Sequence, residues 1–112
     1  MLVLQKARRG DRDVEISAKS LPDLGGWTPV LVDDIISSGR TMIEAVRLIV
    51  ERGAQSPICV AVHGLFAEDS DKILARAGAR VVTSNSIPHA TNGIDVTEAL
   101  VNSLREVANA IR

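Results

Sequence analysis

The sequence predicts an α/β domain in three layers: a mostly parallel sheet with flanking helices, preceded by a charged amino-terminal hairpin. Two observations carry this. From Trp27 onward, short apolar runs of strand length alternate with segments whose apolar residues recur at three- and four-residue steps. The run Pro57–His63, PICVAVH, is apolar almost throughout, as suits a strand covered on both faces. Strands separated by helices imply right-handed crossovers and therefore parallel pairing.

Taken in order, residues 1–26 form a first unit and residues 27–112 the βαβ core. In LVLQKARRGDRDVEIS two weakly apolar arms enclose a charged middle, predicting a hairpin whose tip is mobile over about residues 5–13. LPDLGG then makes a turn-rich join. PVLVD, residues 29–33, is the first core strand. Met42, Ala45, Val46, Ile49 and Val50 share one helical face with Glu44, Arg47 and Glu51 opposite, predicting a helix over 41–52 closed by Gly53. Residues 57–63 are the second strand, 69–77 a helix stopped by Gly78, and 80–84 the third strand. Asp95 and Thr97 are alternative caps for a last helix near 97–110, whose Leu100, Leu104, Val107 and Ile111 make a stripe for core or subunit interface.

Composition bounds the function. The chain has 112 residues, 46% hydrophobic and 24% charged, with a formal net charge of −1, as expected of one soluble globular domain. There is no Tyr and only one Trp and one Phe, so the core must be aliphatic. No apolar run approaches the roughly 20 residues of a membrane span, and Met1 opens no signal-like region. The expectation is a cytoplasmic protein with no membrane partner. The near-neutral charge also argues against a nucleic-acid surface. Cys59, the single cysteine, excludes an intrachain disulfide and any multi-cysteine metal site, and is expected in the core.

The chemistry concentrates in VLVDDIISSGRTMIEA, residues 30–45. In open parallel sheets ligands bind outside the carboxyl ends of the strands. Asp33 and Asp34 are expected at such an end, and Ser37, Ser38, Gly39, Arg40 and Thr41 run from there into a helix start. Backbone N–H groups at a helix start attract anions, and Gly39 allows close approach, so the loop reads as an anion nest. It is not a Walker loop, having no Gly-x-x-x-x-Gly-Lys. Carboxylates repel phosphate but accept hydrogen bonds from vicinal hydroxyls, so a ligand with a phosphate at one end and a sugar at the other satisfies both features. The alternative is that the two acids only cap and solubilise a strand end.

VLVDDIISSGRT resembles the ribose 5-phosphate motif shared by type I phosphoribosyltransferases and ribose-phosphate pyrophosphokinases. QKARRGDRDVEIS resembles the flexible catalytic loop of the pyrophosphokinases, and AVHGLFAEDSDKILARAGARVVTSNSIPH with IDVTEAL resembles their carboxyl-terminal half. The resemblance implies a type I phosphoribosyltransferase-like fold and transfer of the diphosphoryl group of ATP to ribose 5-phosphate, with Mg2+, giving phosphoribosyl pyrophosphate and AMP. It implies that Lys6 and Arg8 are catalytic, and that Asp33 and Asp34 hold the ribose, Asp33 also through Mg2+. Ser37, Ser38, Gly39 and Thr41 would take the 5-phosphate. Two positions depart from the pattern: Arg40 stands where many relatives carry Gly, and Ser37 where some carry Asp. Arg40 would then turn outward or add a cation near the phosphate.

Such relatives also have an amino-terminal half supplying the adenine site, so this chain is expected to be inactive alone and to form a homo-oligomer or to join such a half. Two other readings stay open: a sugar-phosphate-binding module without turnover, and a phosphoribosyltransferase acting on a base, for which no hood is visible. Lys6 and Arg8 could equally be a solvated hairpin tip. His63 is either structural or site-lining, and no residue stands at metal-ligand spacing from it. His89 is expected to be structural or solvated. Thr83, Ser84 and Asn85 would line the site or form a turn.

Overall fold

The computed structural model describes the backbone of residues 6–9 and 13–16 and the whole of residues 23–111. The mobility expected of residues 5–13 falls partly on residues 5 and 10–12, which lie outside the described residues. The elements are β1 (Lys6–Arg9), β2 (Asp13–Ile16), β3 (Val30–Ile36), α1 (Arg40–Glu51), β4 (Ile58–Gly64), a single 3-10 turn (Ala67–Asp69), α2 (Ser70–Arg76), β5 (Arg80–Ser84), β6 (Asn92–Ile94) and α3 (Thr97–Ile111).

β1 and β2 form an antiparallel hairpin, and β3-β4-β5-β6 a parallel four-stranded sheet in that order. The hairpin's second strand runs beside α1. The hairpin differs from expectation in one respect. Its strands are the charged segments themselves, so Lys6 and Arg8 are strand residues paired with Ile16 and Val14, not tip residues.

β3 outruns the sequence pattern by three residues. Ile35 and Ile36 continue the pairing, opposite His63 and Gly64, and Ile36 is almost fully buried. Asp33 and Asp34 therefore lie within the carboxyl-terminal part of the strand rather than past its end. β6 was not expected. It joins the edge through Thr83 opposite Asn92 and Ser84 opposite Ile94.

One core holds α1 and α2 against one face of the sheet: Ile36, Met42, Ile43, Val46, Cys59, Ala61, Leu74 and Ala79. The apolar stripe of α1 supplies the helix side, with Ala45 and Ile49 also buried. Leu31 packs on this core beside Cys59 and Ala61, so strand alternation sends Val30, Val32 and Val62 to the other face, where Val32 is 77% exposed; Ile36, at the very end of β3, departs from the alternation. α3 begins where Asp95 accepts the Thr97 N–H at 2.9 Å, so Asp95 is the cap that forms. No residue of α3 is buried, and its stripe at Leu100, Leu104, Val107 and Ile111 is exposed.

Candidate functional site

The site is built where β3 ends and α1 begins. In the last turn of backbone before the loop, the Asp34 N–H donates to the Asp33 carboxylate at 2.8 Å, and the Ile35 N–H donates to the Asp34 carboxylate at 2.9 Å. The hydrogen bond with the Asp33 carboxyl, then the Ile35 and Asp34 backbone N–H groups, and last the charge of His63, hold Asp34 below the ordinary carboxylate range; its slight desolvation opposes them. Asp34 is exposed and ionised, ready to accept further hydrogen bonds.

Gly39 is the hinge from strand to helix. Its φ of 68° and ψ of 11° are left-handed, a conformation glycine reaches without the usual clash. Space is tight for a side chain as well: a Cβ there would stand 3.0 Å from the Ser70 Cβ, which would have to give way. α1 opens with Ile43 N–H donating to the Gly39 carbonyl at 2.7 Å. No side chain caps this helix start, and its first turn carries no acid, so the dipole end faces outward without a carboxylate of its own.

The segment after β4 braces this loop from behind. The Ile36 carbonyl accepts from both Leu65 N–H and Phe66 N–H at 3.0 Å. The buried Ser70 hydroxyl donates to the Ser37 carbonyl at 2.7 Å. Phe66, Glu68 and Asp69 all adopt positive φ, which folds the segment tightly enough to reach the loop. Asp69 is the N-cap residue of α2 and Ala77 its C-cap, so the helix with its caps spans the expected 69–77. Across the top, Arg40 Nη2 stands 3.5 Å from Glu68 Oε2, both side chains about half exposed.

His63 Nδ1 lies 2.8 Å from the Ser86 hydroxyl, at the carboxyl end of β4, and its charge favours the ionised Asp34. It is thus both held by structure and electrostatically part of the site. His89 has a different role. Its Nδ1 accepts the Thr91 N–H at 3.1 Å, which leaves the ring proton on Nε2, 3.4 Å from Asp71 Oδ2. Its ring also packs on Phe66 with centroids 4.5 Å apart, so it staples the bracing segment to α2.

Thr83 and Ser84 are buried in side-chain bonds to Thr91 and to the Val62 carbonyl, and Asn85 bonds Asp95; they hold the β5 end together. Cys59 is buried in the core, and burial pushes its thiol up to about 11, which makes it no nucleophile at neutral pH.

The structure thus gathers Asp33, Asp34, Ser37, Ser38, Gly39, Arg40 and Thr41 at one end of the sheet, while Lys6 and Arg8 lie in the hairpin. Among the described residues no group of three or more His, Cys, Asp or Glu could hold a metal ion. The donors that do stand together, Asp33 and Asp34, are hard oxygens of the kind Mg2+ prefers; with one or two carboxylates it completes its shell from water and substrate phosphates. No described helix is long and apolar enough to cross a membrane. The bracing residues Phe66, Glu68 and Ser70 were missed by sequence reasoning. The advance signal was the polar run Glu68-Asp69-Ser70 a few residues after a strand.

A phosphoribosyl transferase domain model matches residues 2–99. Ribose-phosphate pyrophosphokinase of Sulfurisphaera tokodaii is 42% identical over 92 residues, covering 79% of this chain and 32% of that protein. The enzyme of the same name from Pyrococcus furiosus is 32% identical over 100 residues, covering 89% and 36%. Among solved structures, phosphoribosylpyrophosphate synthetase from Mycobacterium smegmatis superposes with a TM-score of 0.73 at 28% identity, covering 96% of this chain and 37% of that one. The chain spans about a third of the length of the relatives it matches.

Proposed function

Because this chain belongs to the phosphoribosyl transferase domain family, we propose that it is the ribose 5-phosphate-binding, carboxyl-terminal part of a ribose-phosphate pyrophosphokinase, a cytoplasmic enzyme. The observation that carries the reading is the uncapped start of α1 behind Gly39, directly continuous with the exposed, ionised Asp34. The 5-phosphate would sit against the N–H groups and hydroxyls of Ser37, Ser38, Gly39 and Thr41. The ribose hydroxyls would then donate to Asp33 and Asp34.

In the reaction, the anomeric hydroxyl oxygen attacks the β-phosphorus of ATP. The bond from that phosphorus to the α–β bridging oxygen breaks, AMP leaves, and the hydroxyl proton passes to solvent. Lys6 and Arg8, two apart on β1, would offer two cations to the transferred group. Charge stabilisation of this kind is most of what a protein adds to phosphoryl transfer. Bound Mg2+ would neutralise phosphate charge, with Asp33 as its protein ligand.

The exposed stripe of α3 and the open sheet face at Val30 and Val32 support assembly with a second copy or with an amino-terminal half that brings ATP. The test is calorimetric titration with ribose 5-phosphate and with inorganic phosphate. Replacing Asp33 and Asp34 together by Ala should abolish ribose 5-phosphate binding and leave phosphate binding largely intact. Equal loss of both would mean that the acids shape the loop and do not read hydroxyls. A binding module without turnover is distinguished by absent AMP release even in the presence of an amino-terminal half.

A further inference from the structure

The geometry points to Arg40 and Glu68 as a competitive latch: Glu68 holds the Arg40 guanidinium when the nest is empty and yields it to the ligand's phosphate when the nest is filled. This rests on the sugar-phosphate reading of the site and adds how that site tunes its affinity. Arg40 is the first residue of α1, next to the hinge glycine. The Cα–Cβ bonds of a helix tilt toward its amino end, so this side chain leans toward the opening of the nest. Its contact with Glu68 Oε2, at 3.5 Å and about half exposed, is a weak ion pair of a kind that contributes little in water.

A phosphate monoester offers more. It carries up to two negative charges, presents several oxygens to the guanidinium fork, and would already be anchored by the backbone of the same turn. Arg40 would gain by giving up its contact with Glu68 for the phosphate.

Glu68 is not there by chance of a floppy loop. Its φ of 57° is held by neighbours that are fixed to the nest itself: Phe66 through the Ile36 carbonyl and Ser70 through the Ser37 carbonyl. The Glu68 carboxylate is therefore carried on backbone held beside the loop. It opposes an incoming anion in two ways, by its own charge and by occupying Arg40. Only the second makes the effect of Glu68 depend on Arg40, and that dependence is what can be measured.

The experiment is a double-mutant cycle on the full chain, with Glu68→Gln, Arg40→Ala and the pair, titrated with inorganic phosphate and with ribose 5-phosphate at two salt concentrations. Circular dichroism checks that each variant is folded. Gln keeps the side-chain length and the backbone demand of Glu68. Glu68→Gln should tighten binding of both ligands by about two- to fivefold, the range expected for releasing an exposed ion pair. In the Arg40→Ala background the same change should give no gain.

An equal gain in both backgrounds would show simple charge repulsion and overturn the latch while leaving the binding site standing. No gain, or weaker binding, in Glu68→Gln would overturn it as well. If the folded wild-type chain and Glu68→Gln both bind neither ligand, the sugar-phosphate reading itself is wrong and the latch goes with it.

Discussion

Gly39→Ala is the sharpest perturbation of the nest. A non-glycine residue in the left-handed region costs about 1–2 kcal/mol, and φ at this position is 68°. The new Cβ would also press to 3.0 Å on the Ser70 Cβ, a carbon attached to the backbone of a buried residue and unable to swing away. Relieving that contact must move Ser70, and Ser70 holds the Ser37 carbonyl at 2.7 Å. Together the strain and the contact should destabilise the chain by about 2–3 kcal/mol, in the range of core overpacking. Gly78→Ala is the matched control. Its φ of 99° is also left-handed, but nothing lies within 4 Å of a Cβ there. Urea unfolding followed by circular dichroism should therefore give a larger loss for Gly39→Ala than for Gly78→Ala. Calorimetry should show phosphate binding lost only in the former. Equal stability losses, or intact phosphate binding in Gly39→Ala, would refute the argument that this turn is held shut by Ser70.

Three further outcomes are expected. Asp34 should titrate below 3.8 by carboxyl-carbon NMR, and Asp33→Ala should raise it, because the Asp33 hydrogen bond is the largest cause of the shift. The folded value is depressed, so the contribution of ionised Asp34 is complete above the unfolded value and is lost only as pH falls through the folded one; ribose 5-phosphate affinity should not weaken through Asp34 between neutral pH and 5. Cys59 should react with a thiol reagent such as 5,5′-dithiobis(2-nitrobenzoate) only on unfolding, since it is buried and its thiol stands at about 11, and rapid labelling of the folded chain would contradict its place in the core. Incubated with ATP, Mg2+ and ribose 5-phosphate, the chain alone should release little AMP, whereas adding a relative's amino-terminal half should raise it; robust turnover by the chain alone would require an adenine site made entirely of these residues.

Much of this architecture was legible because it depends on local periodicity. The apolar faces of α1 and of β4 announce themselves at steps of three to four residues and as a continuous run. The loop between β3 and α1 was legible for the same reason, since acids, small hydroxyl residues and glycine fall between a strand signal and a helix signal. The bracing segment was not. Its left-handed residues are Phe66, Glu68 and Asp69, types that do not ordinarily mark such turns, and they are held there by contacts with Ile36, Ser37 and His89 that no local pattern encodes. β6 was missed for a related reason. It has three residues, and its position depends on the Asn92 side chain bonding Thr83, the Ser84 carbonyl and the Ile87 carbonyl.

The sequence also announced more covering than the described residues supply. The continuous run in β4 suits a strand buried on both sides, yet Val62 is 47% exposed and its neighbours Val30 and Val32 on β3 are more so. α3 has the stripe of a packed helix, yet no residue of it is buried among the described residues. Periodicity reports that a face is apolar; it cannot report whether the partner is another part of the same chain. The acid pair stands on β3, the edge strand of the described sheet, so one side of the strand that carries the site is already fixed by α1 and α2 and the other is not. The loop from Ser37 to Thr41 depends on the fixed side: Ile36 in the core, Gly39 against Ser70, and the Ser70 bond to Ser37. The exposed Asp34 shares its strand parity with the exposed Val30 and Val32 of the open side. A loop braced from the core side, joined to an acid exposed on the open side, is what this division of the core dictates.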